Sequence, residues 1–281
     1  DIGEEFIDRN HKFSSDLDIF GKNSLFQWIN LTKTTFGRKK LASKMIMNSL
    51  PTRYEIEEEQ EAIKELANKR EFCEKIYFEA SIESKKKEKL KELLDWASNE
   101  EKNNFTVKYI SYIFIAITCI ILFLTIIGRL SISYLILDLV INYLVIKLFT
   151  KKLSDVIDIF INNKREIEKY SKLLSIIQDE NFQSKKLLDI QKDLVSSNIN
   201  CKNEMKKLKN IISWLGDSTS NAYYLLINVF FMSDIFILSN LQEWRITNGY
   251  KLEKWLEDMG EVEALVSLST ISFEHEEWTY P

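Results

Sequence analysis

The chain has 281 residues, with 38 Lys and Arg against 42 Asp and Glu, and its formal net charge of -4 supplies no global drive toward nucleic acid. Only 7 glycines and 2 prolines punctuate it, too few for the turns of a sheet protein, and long runs of Glu, Lys, Leu and Ile favour helix throughout. Three scattered cysteines, Cys73, Cys119 and Cys201, exclude a disulfide framework and a zinc spacing and point to a reducing compartment, and the two histidines, His11 and His275, leave little material for His-based catalysis.

The N-terminus is polar and acidic, without the shape of a signal peptide. It lacks an initiating Met, and the sequence stops on Pro281 without a capping tail, so a fragment of a longer protein is expected. Residues 1–20 read as an irregular lead-in. Ser24 with Gln27 forms a capping box for a short helix through Asn30, with Leu25, Phe26 and Ile29 on one face. Thr35 is placed to cap a second helix from Phe36 to Asn48, and Pro51 stops it. Thr52 with Glu55 forms another capping box. The helix behind it carries Ile56, Gln60, Ile63, Leu66 and Ala67 and is expected to run to about Tyr77. A short amphipathic helix covers Lys85 to Ala97.

Tyr109 to Gly128 is then 20 residues without a charge. That is the length needed to cross a bilayer core, about 20 apolar residues. Leu130 to Ile146 follows; it is shorter and carries a single charge, Asp138, and Asn142, so it is the weaker span of the two. Lys108 precedes the pair and Lys147, Lys151 and Lys152 follow it, as expected of a membrane hairpin with both flanks in the cytoplasm. Tyr109, Tyr112, Tyr134 and Tyr143 lie toward the ends of the runs. The competing reading is a buried helical hairpin within a soluble core.

From Lys151 to Gln178 a heptad is visible. Leu153, Phe160, Ile167 and Leu174 are spaced by seven, and Val156, Asn163, Tyr170 and Ile177 fall three later. Such a helix, on the order of 40 Å long at 1.5 Å per residue, packs along a partner. Ser184 caps the next helix, with Leu187, Leu188, Leu194 and Val195 on it. Met205, Leu208, Ile211 and Ile212 resume the pattern, which ends near Gly216. Asp217 or Ser218 caps a long, central helix to Thr247, closed by Gly249. Two short helices, "KLEKWLEDMG" and "EVEALVSLSTISFE", finish an all-α chain.

The stretch "DLDIFGKNSLFQWINLTKTTFGRKKL" resembles the start of the core domain of MutS-family DNA mismatch-repair proteins. The matching positions are Leu17, Phe20, Gly21, Ser24, Leu25, Asn30, Thr32, Thr34, Gly37, Arg38 and Leu41, with Ile56, Gln60, Ala62 and Ile63 on the following helix. Glu59 stands where the family has Arg, and Ile29 where it usually has Leu. "LEKWLEDMGEVEALVSLSTISFEHEEWTYP" is similar to the segment that leads into the family's ATPase domain. The apolar hairpin resembles, by pattern, a MutS-related subgroup with transmembrane segments. The resemblance implies a helical core beneath long lever helices, linking DNA-contacting parts to an ATPase that uses ATP and Mg. It also implies a homodimer formed through the parent protein, with DNA and a membrane as further partners. A structural junction of Phe20, Gly21, Leu25, Phe26, Asn30, Thr34, Gly37 and Arg38 would transmit motion without doing chemistry.

No Gly-x-x-x-x-Gly-Lys-Ser/Thr occurs in the chain, so it holds no Walker A loop, no cofactor is expected in it, and no enzyme. Phe72-Cys73-Glu74 reads Phe-x-Glu, the family's mismatch probe, but falls on a core helix and is taken as coincidence. Two basic runs, Lys85, Lys86, Lys87, Lys89 and Lys91, and Lys202, Lys206, Lys207 and Lys209, read as phosphate or lipid contacts or as solvated helix faces. Lys85, Lys86, Lys87, Lys206 and Lys207 are the candidate contacts. Arg38, Lys39 and Lys40 follow a helix start, where cations are electrostatically unhelpful, so a partner or a packing reason is expected. Asp138 marks either an ion path or a helix-facing carboxylate. No clamp sequence matches; the hairpin occupies its place. The expected organisation is 1–104 as half of the core, 105–149 as the hairpin, and 150–281 as levers and the rest of the core.

Overall fold

A computed structural model describes the chain except residues 9, 10, 12, 48, 49, 83–89, 100–105, 151, 152, 197, 198, 217–221, 276 and 281. Among the described residues it is all-helical, with one two-residue ladder, β1 (Val195–Ser196) against β2 (Ile199–Asn200). The helices are α1 (Leu25–Ile29), α2 (Thr35–Ile46), α3 (Arg53–Ala67), α4 (Arg70–Ser81), α5 (Leu90–Ser98) and α6 (Thr106–Ile126). Then follow α7 (Ile132–Thr150), α8 (Leu153–Asp179), α9 (Lys185–Leu194), α10 (Cys201–Gly216), α11 (Ala222–Phe231) and α12 (Ser233–Glu274).

Local chemistry sets most of these starts. The Thr52–Glu55 capping box forms in both directions. Ser24 accepts from the Gln27 amide at 3.1 Å, but the Gln27 side chain takes the Asn23 amide at 2.7 Å, so the reciprocal half falls one residue early. Asn23 is turned there into the left-handed region, φ 62°. Thr34, not Thr35, caps α2: it is the extended residue, and its hydroxyl accepts from the Gly37 amide at 3.0 Å. Ser184 occupies the N-cap of α9, but its hydroxyl does not cap. The Glu65 carboxylate accepts from the Gln183 and Ser184 amides instead, at 2.8 and 2.7 Å.

Several helix boundaries differ from expectation. The helix begun at Thr52 breaks at Asn68–Lys69 instead of running to Tyr77. The Asn68 side chain donates back to the Lys64 carbonyl at 2.9 Å, competing with the helical ladder. Lys69 turns to Glu180 and the Asn181 carbonyl, each at 2.7 Å. Val195 leaves α9 for β1 and is exposed.

The largest difference is α12. Neither Gly249 nor the glycine of "EDMG" ends a helix; one helix of 42 residues runs through both. Both glycines are places of close approach. A Cβ on Gly249 would overlap the Ala97 carbonyl oxygen, and one on Gly260 would lie 2.6 Å from the Phe36 carbonyl carbon. The actual break comes earlier, at Met232 (φ 49°), where α11 meets α12 at a bend of 75°.

The chain divides into two units. The first comprises Asp1–Lys87, Glu168–Asn203 and Glu253–Pro281. Its core holds Phe26, Leu41, Ala42 and Ala264, with Phe6, Phe20, Met45 and Leu268 packed on them. The second comprises Glu88–Ile167 and Glu204–Leu252. Here Trp96 meets Phe160 edge-on at 4.7 Å, and Arg245 lies over Trp96 at 5.3 Å. Of the α8 heptad, Phe160, Asn163, Ile167, Tyr170, Leu174 and Ile177 are buried, and Val156 is half-buried.

Candidate coupling junction

The first unit brings the two ends of the sequence together. After α1, Asn30 leaves the helix extended, and its side-chain oxygen accepts from the Thr32 amide at 2.9 Å and the Thr32 hydroxyl at 2.5 Å. That turn aims the following amides at α12. The buried Glu263 carboxylate on α12 accepts from the Lys33 amide, the Thr34 amide (3.0 Å) and the Thr34 hydroxyl. Thr34 therefore serves twice, donating to Glu263 and accepting from Gly37. A Cβ on Gly37 would overlap the Glu263 carboxylate, so this position takes glycine for want of space. One turn on, Ser267 donates to the Ile29 carbonyl at 2.8 Å and accepts from the Leu31 amide at 2.8 Å.

Burial pushes the Glu263 carboxyl up from its ordinary value, against the pull of the Lys33 and Thr34 donors. Glu263 was not singled out in the sequence. Its signal was weak: the second of two acids in "EVEALVSLS".

The other expected junction residues fall around this seam. Phe20 and Phe26 meet Phe6 in a triangle of tilted rings with centroids 5.5 to 5.8 Å apart. Gly21 turns at φ 105°, and its amide donates to the Ile2 carbonyl at 2.8 Å. Leu25 faces outward. Arg38 is buried, and its partners come from the lead-in: Asp1 at 2.8 Å, and Glu5. The irregular first residues thus neutralise the cation that the helix start disfavours.

A second seam is ionic. Lys44 bridges Glu59 and Glu261, each at 2.7 Å, and Lys186 reaches Glu261 at 3.0 Å and Glu59 at 3.7 Å. Lys185 meets Glu58 at 2.7 Å. The acidic run of α3 is thereby structural. Burial alone would raise the Glu261 carboxyl, but Lys44 and Lys186 outweigh it and hold it below its ordinary value. Lys44 is raised: its two carboxylates overcome the cost of burial.

An open cavity of about 550 Å³ in the same unit is walled by Leu31, Tyr77, Phe78 and Phe273, with Cys73 on it. Burial pushes the Cys73 thiol up to about 11, so the Phe-Cys-Glu stretch presents no reactive thiolate at neutral pH. Lys85, Lys86 and Lys87 lie outside the described residues. Lys206 and Lys207 are exposed on α10, and Lys207 pairs with Glu204 at 2.6 Å. Among the described residues no three His, Cys, Asp or Glu side chains gather as a metal site.

In the second unit, α6 and α7 form the apolar hairpin. Lys108–Ile126 and Ile132–Phe149 are each long and apolar enough to cross a membrane, and only 11% and 17% of them is covered by the rest of the chain. Their outer faces, with Ile113, Phe123, Leu137 and Leu144, are exposed. Between them Asp138 is helix-facing and buried. The Thr118 hydroxyl donates to it at 2.7 Å and accepts from the Asn142 amide at 2.8 Å.

Comparison with family models, with curated proteins and with solved structures finds no match to this chain.

Proposed function

We propose that the chain is the non-catalytic core-and-lever region of a MutS-type ATPase, coupling nucleotide state to DNA or partner binding. One observation supports this above the others. The two stretches that carry the resemblance, around 17–41 and 252–281, interlock through Glu263 with Lys33 and Thr34, as two halves of one core would. A junction of this kind suits transmission: buried hydrogen bonds and glycine contacts leave it few ways to deform. ATP and Mg belong to an ATPase domain supplied by the parent protein, which would dimerise through it.

The exposed α6–α7 hairpin favours a second element of the reading, a membrane anchor with both flanks on the cytoplasmic side. It also favours the alternative in which the anchored protein is a MutS-like scaffold that does not grip mismatched DNA. The gene is expected to encode a Walker A loop downstream of Pro281, and its absence would remove the ATPase reading altogether. With the loop present, duplex binding by the parent protein separates the two forms. Tight binding to mismatched over matched duplex supports the repair machine, and equal weak binding supports the scaffold.

A further inference from the structure

Helix α11, "AYYLLINVFF", carries no charge, yet Leu225, Leu226 and Phe231 are each more than half exposed. Its other side is fixed. The Val229 carbonyl accepts from the Asn142 amide of α7 at 3.2 Å, and Met232 packs with Ile146 and Ile235 among Phe114, Ile115 and Val145. The first turns of α12 run antiparallel to α6: Phe236 meets Tyr112 at 5.0 Å, and Asn240 and Glu243 each meet Lys108 at 3.4 Å.

These contacts set depth. Asn142 lies five residues in from Lys147, about 7 Å at 1.5 Å per residue. The Val229 carbonyl therefore sits about 7 Å inside the rim measured from Lys147, and Ser233, seven residues in from Asn240 at Lys108, about 10 Å inside it, which spans the roughly 5–10 Å of a helix lying in the interface. α11 and α12 together are long and apolar enough to count as one bent span, but the part that lies inward of the Asn240–Lys108 contact is too short to cross. The arm from Ser233 to Asn240 is about 12 Å and α11 about 15 Å; bent by 75°, they reach about 21 Å end to end, short of a core about 30 Å thick.

The break itself is satisfied from within. Asn228 accepts from the Asp234 amide at 3.0 Å and the Ser233 hydroxyl at 3.2 Å, and donates to Asp234 at 2.6 Å. The Tyr224 hydroxyl also donates to Asp234. Backbone at membrane depth is tolerated only when it is met in this way.

We propose that α11 lies in the plane of the bilayer as a shallow, non-spanning element, with one side on α7 and with Leu225, Leu226 and Phe231 in the acyl chains. This rests on the reading of α6–α7 as a membrane anchor. The partner is lipid, because the exposed side is uncharged and continuous with the apolar hairpin it packs against.

The test places an environment-sensitive fluorophore at Leu226→Cys, and separately at Ile120→Cys as the deep reference, in the full chain in phosphatidylcholine vesicles. Cys119→Ala and Cys73→Ala remove the exposed and the half-buried native thiols, and Cys201 is buried. Nitroxides at acyl carbons 5 and 12 and aqueous iodide are the quenchers. At Leu226, quenching about twofold stronger from carbon 5 than from carbon 12, with little from iodide, is expected; Ile120 should show the reverse order. Strong iodide quenching at Leu226 with Ile120 still lipid-quenched overturns the placement of α11 and leaves the anchor standing. Leu226 quenched best from carbon 12 overturns it in favour of a deep third segment. Iodide access at Ile120 itself removes the anchor, and this inference with it.

Discussion

A carboxylate stripped of water must be met by donors, and Glu263 is met by two backbone amides and a hydroxyl from a segment some 230 residues away in sequence. Deleting the acceptor orphans all three. Glu263→Ala is expected to cost about 3–4 kcal/mol, whereas Glu263→Gln, which keeps one oxygen for the Lys33 and Thr34 amides, should cost about 1 kcal/mol. Urea denaturation of the two variants checks this, and equal losses would mean that one Gln oxygen does not serve the Lys33 and Thr34 amides and that the site needs the carboxylate itself. The ionic seam behaves differently with pH. Glu261 is held below its ordinary value of 4.5, so its contribution is full above that value and is lost as pH falls through the lower folded value. Lys44 is raised above 10.5, so its share is full below that value and is lost as pH rises through the folded one. Melting curves of Glu261→Gln should lie below wild type across the neutral range, by about 2 kcal/mol, and converge with it in acid. A gap unchanged at low pH would refute the charge account. At this scale the sequence announced a need without its answer. Three cations after a helix start are anomalous, and Arg38 was legible as a residue wanting a partner. That the partners are Asp1 and Glu5 follows from how the lead-in folds back, which no spacing rule encodes.

At the scale of elements, periodicity and caps carried far. The α8 heptad needs only large apolar side chains at a spacing of three and four, and from Phe160 to Ile177 its seam is buried. The Thr52–Glu55 box is a local bond and forms as written. Glycine was the unreliable sign, because it has two uses that look alike in sequence: it ends helices where φ must turn positive, and it thins them where another backbone comes close. Gly249 is of the second kind. In an exposed helix, Gly→Ala would gain about 1 kcal/mol from propensity alone. Here the added methyl meets the Ala97 carbonyl, so Gly249→Ala is expected to lose about 1–3 kcal/mol, read as a lower thermal midpoint. A raised midpoint would show that α12 and α5 are not in contact there.

For the whole molecule, the question is what covers the hairpin. An apolar surface of two helices, little of it covered by the chain itself, is far beyond what a soluble monomer leaves bare. The protein is expected to stay with membranes through a carbonate wash, and deletion of 109–146 is expected to release it. Release without deletion, as a monodisperse protein free of detergent, would mean that another protein surface covers the hairpin. By itself, the sequence determined the all-helical class, the positions of most helices, the two membrane-length segments and the anomalous residues. Each of these depends on a residue's nearest few neighbours along the chain. Tertiary structure alone decided that Glu263 closes the junction, that Gly249 and Gly260 are contacts within one long helix, and that the apolar segment breaks at Met232. Those depend on which distant backbone arrives within a few ångströms, and space, unlike periodicity, leaves no repeat in the sequence.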